Sequence, residues 1–292
     1  MKKSLLAMSV LLAAGSVSAD PFYVDVNENY GPAGDQVCPT CTSMKDEFLF
    51  TYESSTTIFD TVNNNIIDMG DLLTTDGGLA VGGLANNQVT GFTPNEVFGA
   101  NSNNGYGPNY LISFSVTGLN GVVDGVSGGV PQFTYGPGLL ELFITFDGVT
   151  LNNFMDIAIT GGGATGVSTI LLGTADFTSV DAQPVNLPGS TGGAYDYRQL
   201  LHSGTTTCLG SDSFFDIWTN CGPDGLNIEF FASFDTNIFV SDFTYNPGPD
   251  TFTLTSDHDG SATFSVPEPG TLALLGGSLV LMGAMARRNK KA

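Results

Sequence analysis

The chain has 292 residues, with 29 Asp and Glu against 8 Lys and Arg and a formal net charge of −21. So acidic a chain is repelled by phosphate backbones, which excludes nucleic-acid binding. A hydrophobic fraction of 41% with 21 Phe excludes a disordered acidic tail, and only 13% charged residues argue against an α-rich protein.

Lys2 and Lys3, the apolar residues 5–14 and the small residues Val17-Ser18-Ala19 stand in the order of a secretory signal peptide. This predicts export through the Sec translocon, removal of residues 1–19 by signal peptidase, and Asp20 as the first mature residue. Next comes Asp25-Val26-Asn27-Glu28-Asn29-Tyr30-Gly31, followed by Asp35. Oxygen ligands at alternate positions before a glycine resemble the start of a Ca²⁺ loop, with Asp25, Asn27, Asn29 and Asp35 as candidate ligands. The glycine falls one place late, however, and Gln36 stands where a closing Glu belongs, so an Asx-turn loop accounts for the same residues.

Cys38, Cys41, Cys208 and Cys221 form an even set in a chain bound for an oxidising compartment, which predicts two structural disulfides. Local pairing, Cys38 with Cys41 and Cys208 with Cys221, is the simplest of three connectivities. Cys38-Pro39-Thr40-Cys41 also has the spacing of a redox dithiol, but no βαβ pattern surrounds it. A metal site would need both pairs to converge.

Strand-like alternation then recurs. Ile112, Phe114 and Val116 alternate with Ser and Thr, as do Leu140, Leu142, Ile144 and Phe146 with Glu141 and Thr145. Residues 226–234, then 251–254 and 263–266, repeat the pattern. Asp76-Gly77, Asn104-Gly105, Asn120-Gly121, Asp124-Gly125, Asp147-Gly148, Asp224-Gly225 and Asp259-Gly260 are turn dipeptides. Residues 86–108 and 181–194 read as long loops. The expected class is all-β, an antiparallel β-sandwich or jelly roll in one domain over residues 20–266.

Two catalytic patterns do not survive inspection. Gly161-Gly162-Gly163-Ala164-Thr165-Gly166 matches the dinucleotide fingerprint, but a strand-like run follows where a helix N-terminus is required. Gly125-Val126-Ser127-Gly128-Gly129 matches a nucleophile elbow without an α/β alternation. His258, in Asp257-His258-Asp259-Gly260, reads as a turn residue, and Trp218 as core beside Phe214, Phe215 and Ile217. Acidic pairs abound, and none stands out as a glycosidase pair.

Val266 precedes Pro267-Glu268-Pro269, then seventeen uncharged residues (270–286), then Arg287, Arg288, Lys290 and Lys291. Seventeen helical residues span about 25 Å, enough for a thin bilayer core. The basic cluster would stay cytoplasmic and leave the rest of the chain outside. Two prolines keep the tripeptide out of both the preceding strand and the following helix.

Tripeptide, apolar helix and basic end together resemble the PEP-CTERM sorting signal of Gram-negative bacteria over residues 267–292. The resemblance implies recognition by an exosortase, a membrane protease-transpeptidase, with cleavage near Pro267-Glu268-Pro269. It also implies an inner-membrane intermediate and a final place at the cell surface or in the extracellular matrix, alongside polysaccharide production. The body is loosely similar to flocculation-associated PEP-CTERM proteins through Phe231-Ala232-Ser233-Phe234-Asp235 and an expected hairpin at Asp259-Gly260-Ser261-Ala262-Thr263-Phe264. The expected role is non-enzymatic and without an obligate cofactor: a structural or adhesive component of a polysaccharide matrix, biofilm or floc, with Ca²⁺ bridging its acidic faces. A lectin-like sandwich is the alternative, and a polysaccharide hydrolase the next.

Overall fold

A computed structural model describes residues 19–26, 37–38, 40–94, 96–97, 105–165, 168–182, 184–185, 195–221 and 225–266. The expected signal peptide, apart from Ala19, lies outside the described residues. So do the apolar run 270–286, the Pro267-Glu268-Pro269 motif and the basic end. Among the described residues no helix is long and apolar enough to cross a membrane.

In chain order the strands are β1 (Phe22–Val24), β2 (Glu47–Phe59), β3 (Leu72–Gly78), β4 (Gln88–Thr93), β5 (Glu96–Val97) and β6 (Leu111–Ser127). There follow β7 (Val130–Tyr135), β8 (Gly138–Thr145), β9 (Asn152–Ala164), β10 (Ser168–Asp176) and β11 (Pro184–Val185). The last are β12 (Tyr195–Asp196), β13 (Leu201–Ser203), β14 (Glu229–Asp235), β15 (Thr244–Asn246) and β16 (Thr251–Ser265). Among the described residues one short α-helix, α1 (Phe214–Asn220), is capped by Ser213, whose side chain accepts from the Asp216 amide.

The all-β antiparallel expectation holds, but the strands form one closed ring where two stacked sheets were expected. The ring runs β2, β3, β6, β8, β9, β10, β14, β16 and back to β2, every pairing antiparallel. Closure comes from β2 and β16, which pair from Phe48 with Ala262 to Phe59 with Thr251. Strands that long curl under their own twist until the edges meet, and closing removes the exposed edges. Strand β7 shares the gap between β6 and β9 with β8, and β4 extends the ladder along the start of β2.

Alternation decides the inside. On β2 the inward residues are Phe48, Phe50, Tyr52, Ser54, Thr56 and Ile58. Eight strands leave an interior that side chains can fill. Around Phe48 the filling is aromatic: Phe22, Phe92 and Phe264 lie edge-on within 4.9, 5.2 and 5.5 Å of it. Strand β1, paired with β13, and helix α1 close this end, with Phe214 5.3 Å from Phe264.

Several expected turns lie inside strands. Asn120-Gly121 and Asp124-Gly125 sit within β6, Asp76-Gly77 within β3, and Asp259-Gly260 within β16, which runs unbroken where a hairpin was expected. Their partners explain this: register shifts mark the ladder at Thr75/Gly77 and Val123/Gly125. A side chain at Gly260 would collide with Phe234 and the Ser233 carbonyl, so glycine there permits close strand approach. Asp147-Gly148 is a true turn, with Gly148 at φ +71°. The expected loop 86–108 contains β4 and β5. Of the loop 181–194, residues 181, 182, 184 and 185 are described.

Candidate functional site

Strand β16 ends at Ser265, two residues before Pro267, and its end is held by residue 20. The Asp20 amide donates to the Phe264 carbonyl at 2.9 Å, and its carboxylate accepts from the Val266 amide at 2.7 Å. Ser265 Oγ adds a longer bond of 3.5 Å to the same carboxylate oxygen. The expected first mature residue therefore completes the ladder of the last residues before the Pro-Glu-Pro segment. Pro267 has no amide hydrogen, so Val266 is the last residue before the Pro-Glu-Pro segment that can donate to a backbone ladder. Ala19, Leu172, Phe231, Thr263 and Ser265 line an outer groove of about 490 Å³ beside this junction.

Inside the barrel, His258 is buried at 4% exposure and is a core residue where a turn residue was expected. Its Nδ1 faces the Asp235 carbonyl at 3.0 Å, which requires the proton on Nδ1. Nε2 then accepts from Ser54 Oγ at 2.7 Å and Ser256 Oγ at 2.8 Å. Burial holds this imidazole below its ordinary pKa, against the opposing pull of the Asp235 carbonyl and neighbouring carboxylates. A cavity of about 40 Å³ adjoins it, lined by Tyr52, Thr75, Tyr135 and Thr236 among others, with room for a few waters. Thr236 Oγ1 has no protein partner, and water in that cavity would satisfy it.

A second constellation was not legible in the sequence. Tyr23 stacks on His202 at 4.8 Å, and both bond Asp212: Tyr23 OH donates at 2.6 Å and His202 Nδ1 lies at 2.9 Å. Burial pushes the Asp212 carboxyl up, but these two bonds outweigh it and hold it below the usual carboxylate range. Tyr23 and Asp212 are separated by 189 residues, so no local motif joins them.

The cysteines pair as Cys38–Cys41 and Cys208–Cys221, with Cα separations of 5.0 and 5.4 Å. Asp25 forms an isolated bridge with Cys41, and its carboxylate lies within 4.8 Å of both sulfurs of that pair. With those sulfurs bonded to each other, the group offers no thiolate to a metal. Asn27, Asn29 and Asp35 lie outside the described residues. The glycine run of the dinucleotide pattern lies on β9, and Gly162 meets β10 where any side chain would strike the Ile170 carbonyl.

Between residues 20 and 266 there are only two cations, Lys45 and Arg198. Lys45 is fully buried, and its Nζ donates to Ser43 Oγ at 2.6 Å and the Pro94 carbonyl at 3.0 Å. Arg198 holds Asp196 through Nε and Nη2 and lies 4.1 Å over the Phe215 ring. On the outer wall Asp257 stands opposite Glu53, and Asp259 opposite Asp235. Thr51, Glu53, Asn86, Asp257 and Asp259 line an acidic depression of about 390 Å³.

No curated protein and no solved structure matches the chain. Residues 265–291 match the family model described as the PEP-CTERM protein-sorting motif. The match begins at Ser265, inside the strand end that Asp20 holds, two residues earlier than the sequence pattern places it. The chain thus carries a PEP-CTERM sorting motif, which supports an exported protein processed by exosortase through a membrane-anchored intermediate.

Proposed function

We propose that residues 20–266 act as a non-enzymatic surface or matrix component, structural or adhesive in an extracellular polysaccharide matrix. The observation that supports this best is the disposition of charge. Both cations of the body are engaged within the fold, so the wall presents carboxylates without cations beside them, some directly opposed across strands. Opposed like charges are unfavourable unless a cation enters between them. Ca²⁺ or Mg²⁺ shared between two such walls, or between a wall and an anionic polysaccharide, gives adhesion without a catalytic step. The aromatic filling of the interior favours this over a carried ligand. Trp218 is packed 5.5 Å from Phe177, partly buried, rather than laid out as a sugar platform.

The direct test is chelation. Aggregates promoted by the processed protein should disperse in EDTA and re-form with Ca²⁺; indifference to chelator defeats the bridging mechanism. A glycan array separates the lectin alternative, which requires saturable preference among neutral sugars. The hydrolase alternative rests on Glu141, which faces Asp156 across β8 and β9 and is pushed above the usual carboxylate range by burial and by that neighbour. Polysaccharide cleavage abolished by Glu141→Gln would establish it. Replacing Pro267, Glu268 and Pro269 with alanine should leave the chain uncleaved in the inner membrane, read by mass spectrometry of the cell and medium fractions.

A further inference from the structure

The outer groove beside Val266 combines two features that point to one occupant. One side of it is apolar: Phe231 and Leu172 are partners across β14 and β10 and stay 43% and 45% exposed, with Ile170 on the same face at 39%. Contiguous exposed apolar surface of this kind marks a contact site. It is also where both ends of the body leave the barrel, since Ala19 and Ser265 line the same groove.

The lengths of chain beyond the groove are short. Three residues, 267–269, separate Val266 from the apolar run that begins at Gly270, and five, 15–19, separate Asp20 from the apolar run ending at Ala14. Fully extended, these segments reach about 10 Å and about 17 Å. The Asp20 bonds hold the chain as far as Val266. Until residues 1–19 are removed both segments start from this groove, and afterwards the three-residue C-terminal segment alone keeps this wall of the barrel beside the bilayer.

We propose that the wall formed by Ile170, Leu172 and Phe231 rests on the bilayer interface while the chain is anchored, orienting the body over the processing site. This rests on reading residues 270–286 as a membrane span. The occupant is the headgroup–acyl boundary of zwitterionic lipid. Glu229 lines the same groove, and anionic lipid would be repelled there. Aromatic and aliphatic side chains gain by entering that boundary without crossing it.

The test uses the full chain reconstituted in phosphatidylcholine vesicles whose acyl chains are brominated near the headgroups. Phe231→Trp places a fluorophore on the proposed contact, and Leu172→Trp gives a second, independent position. Met69→Trp is the control: Met69 is 76% exposed and lies near Leu72, whose ladder runs through Phe59 to Thr251 at the opposite end of β16. After subtraction of the native Trp218 signal, bromine should quench residues 231 and 172 at least twofold more than residue 69. Equal quenching in vesicles that retain the chain through a carbonate wash overturns the contact. A chain stripped from the vesicles by carbonate overturns the membrane-span reading and the contact with it.

Discussion

At the scale of single residues, His258 shows how burial sets chemistry. Its folded pKa lies below its ordinary value of 6.5 because the charged form is poorly solvated inside the barrel. Below pH 6.5 the unfolded chain therefore takes up a proton that the folded chain resists. The stabilisation is fully present above that pH and declines as pH falls toward the folded pKa. Protonated Nε2 also loses its capacity to accept from Ser54 and Ser256. The melting temperature should fall between pH 7 and pH 5, and His258→Gln should flatten that segment of the profile. His258→Ala should lower stability by about 2–3 kcal/mol at pH 7, by urea denaturation, since it empties a buried site and leaves the buried Ser54 hydroxyl without its acceptor.

Among the elements, the contact of β9 with β10 shows what the glycine run does. Gly162 has φ +154°, and an added side chain would strike the Ile170 carbonyl. Gly161 meets only the Tyr135 carbonyl at 3.9 Å. Gly162→Ala should cost about 3 kcal/mol, whereas Gly161→Ala should stay within about 1 kcal/mol, both read from urea midpoints. The same scale covers the junction. Asp20→Ala removes the carboxylate that accepts from the Val266 amide and Ser265 Oγ, so hydrogen exchange at the Val266 amide should rise while Ala262 keeps its protection. Unchanged exchange at Val266 would contradict the clamp. The alternating apolar positions of β6, β8, β14 and β16 were legible because a period of two is a local property. The fate of the Asn-Gly and Asp-Gly pairs was not: the same dipeptide makes a hairpin, a bulge or a close strand crossing according to the partner it meets.

For the whole molecule, residues 20–266 carry 28 acids and two cations, a net charge of −26. Such a body repels itself, and monovalent salt should relieve the repulsion. Raising NaCl from about 0.01 M to about 0.1 M shortens the Debye length from about 30 Å to about 10 Å and should raise the melting temperature by about 3 °C. A fall in melting temperature would mean that the surface carboxylates are already compensated.

The amino-acid order alone determined the β class, the acidic body and the sorting motif, because each rests on composition or on short, ordered segments. Ring closure, the burial of His258, the Tyr23–Asp212–His202 cluster and the meeting of residue 20 with residue 266 were decided only by tertiary structure. Each joins residues about 190 to 250 positions apart or depends on such a pairing. Alternation tells a strand which face is apolar but not which distant strand will lie beside it. That choice was made when β2 and β16, from the two ends of the body, paired along their length and shut the sheet.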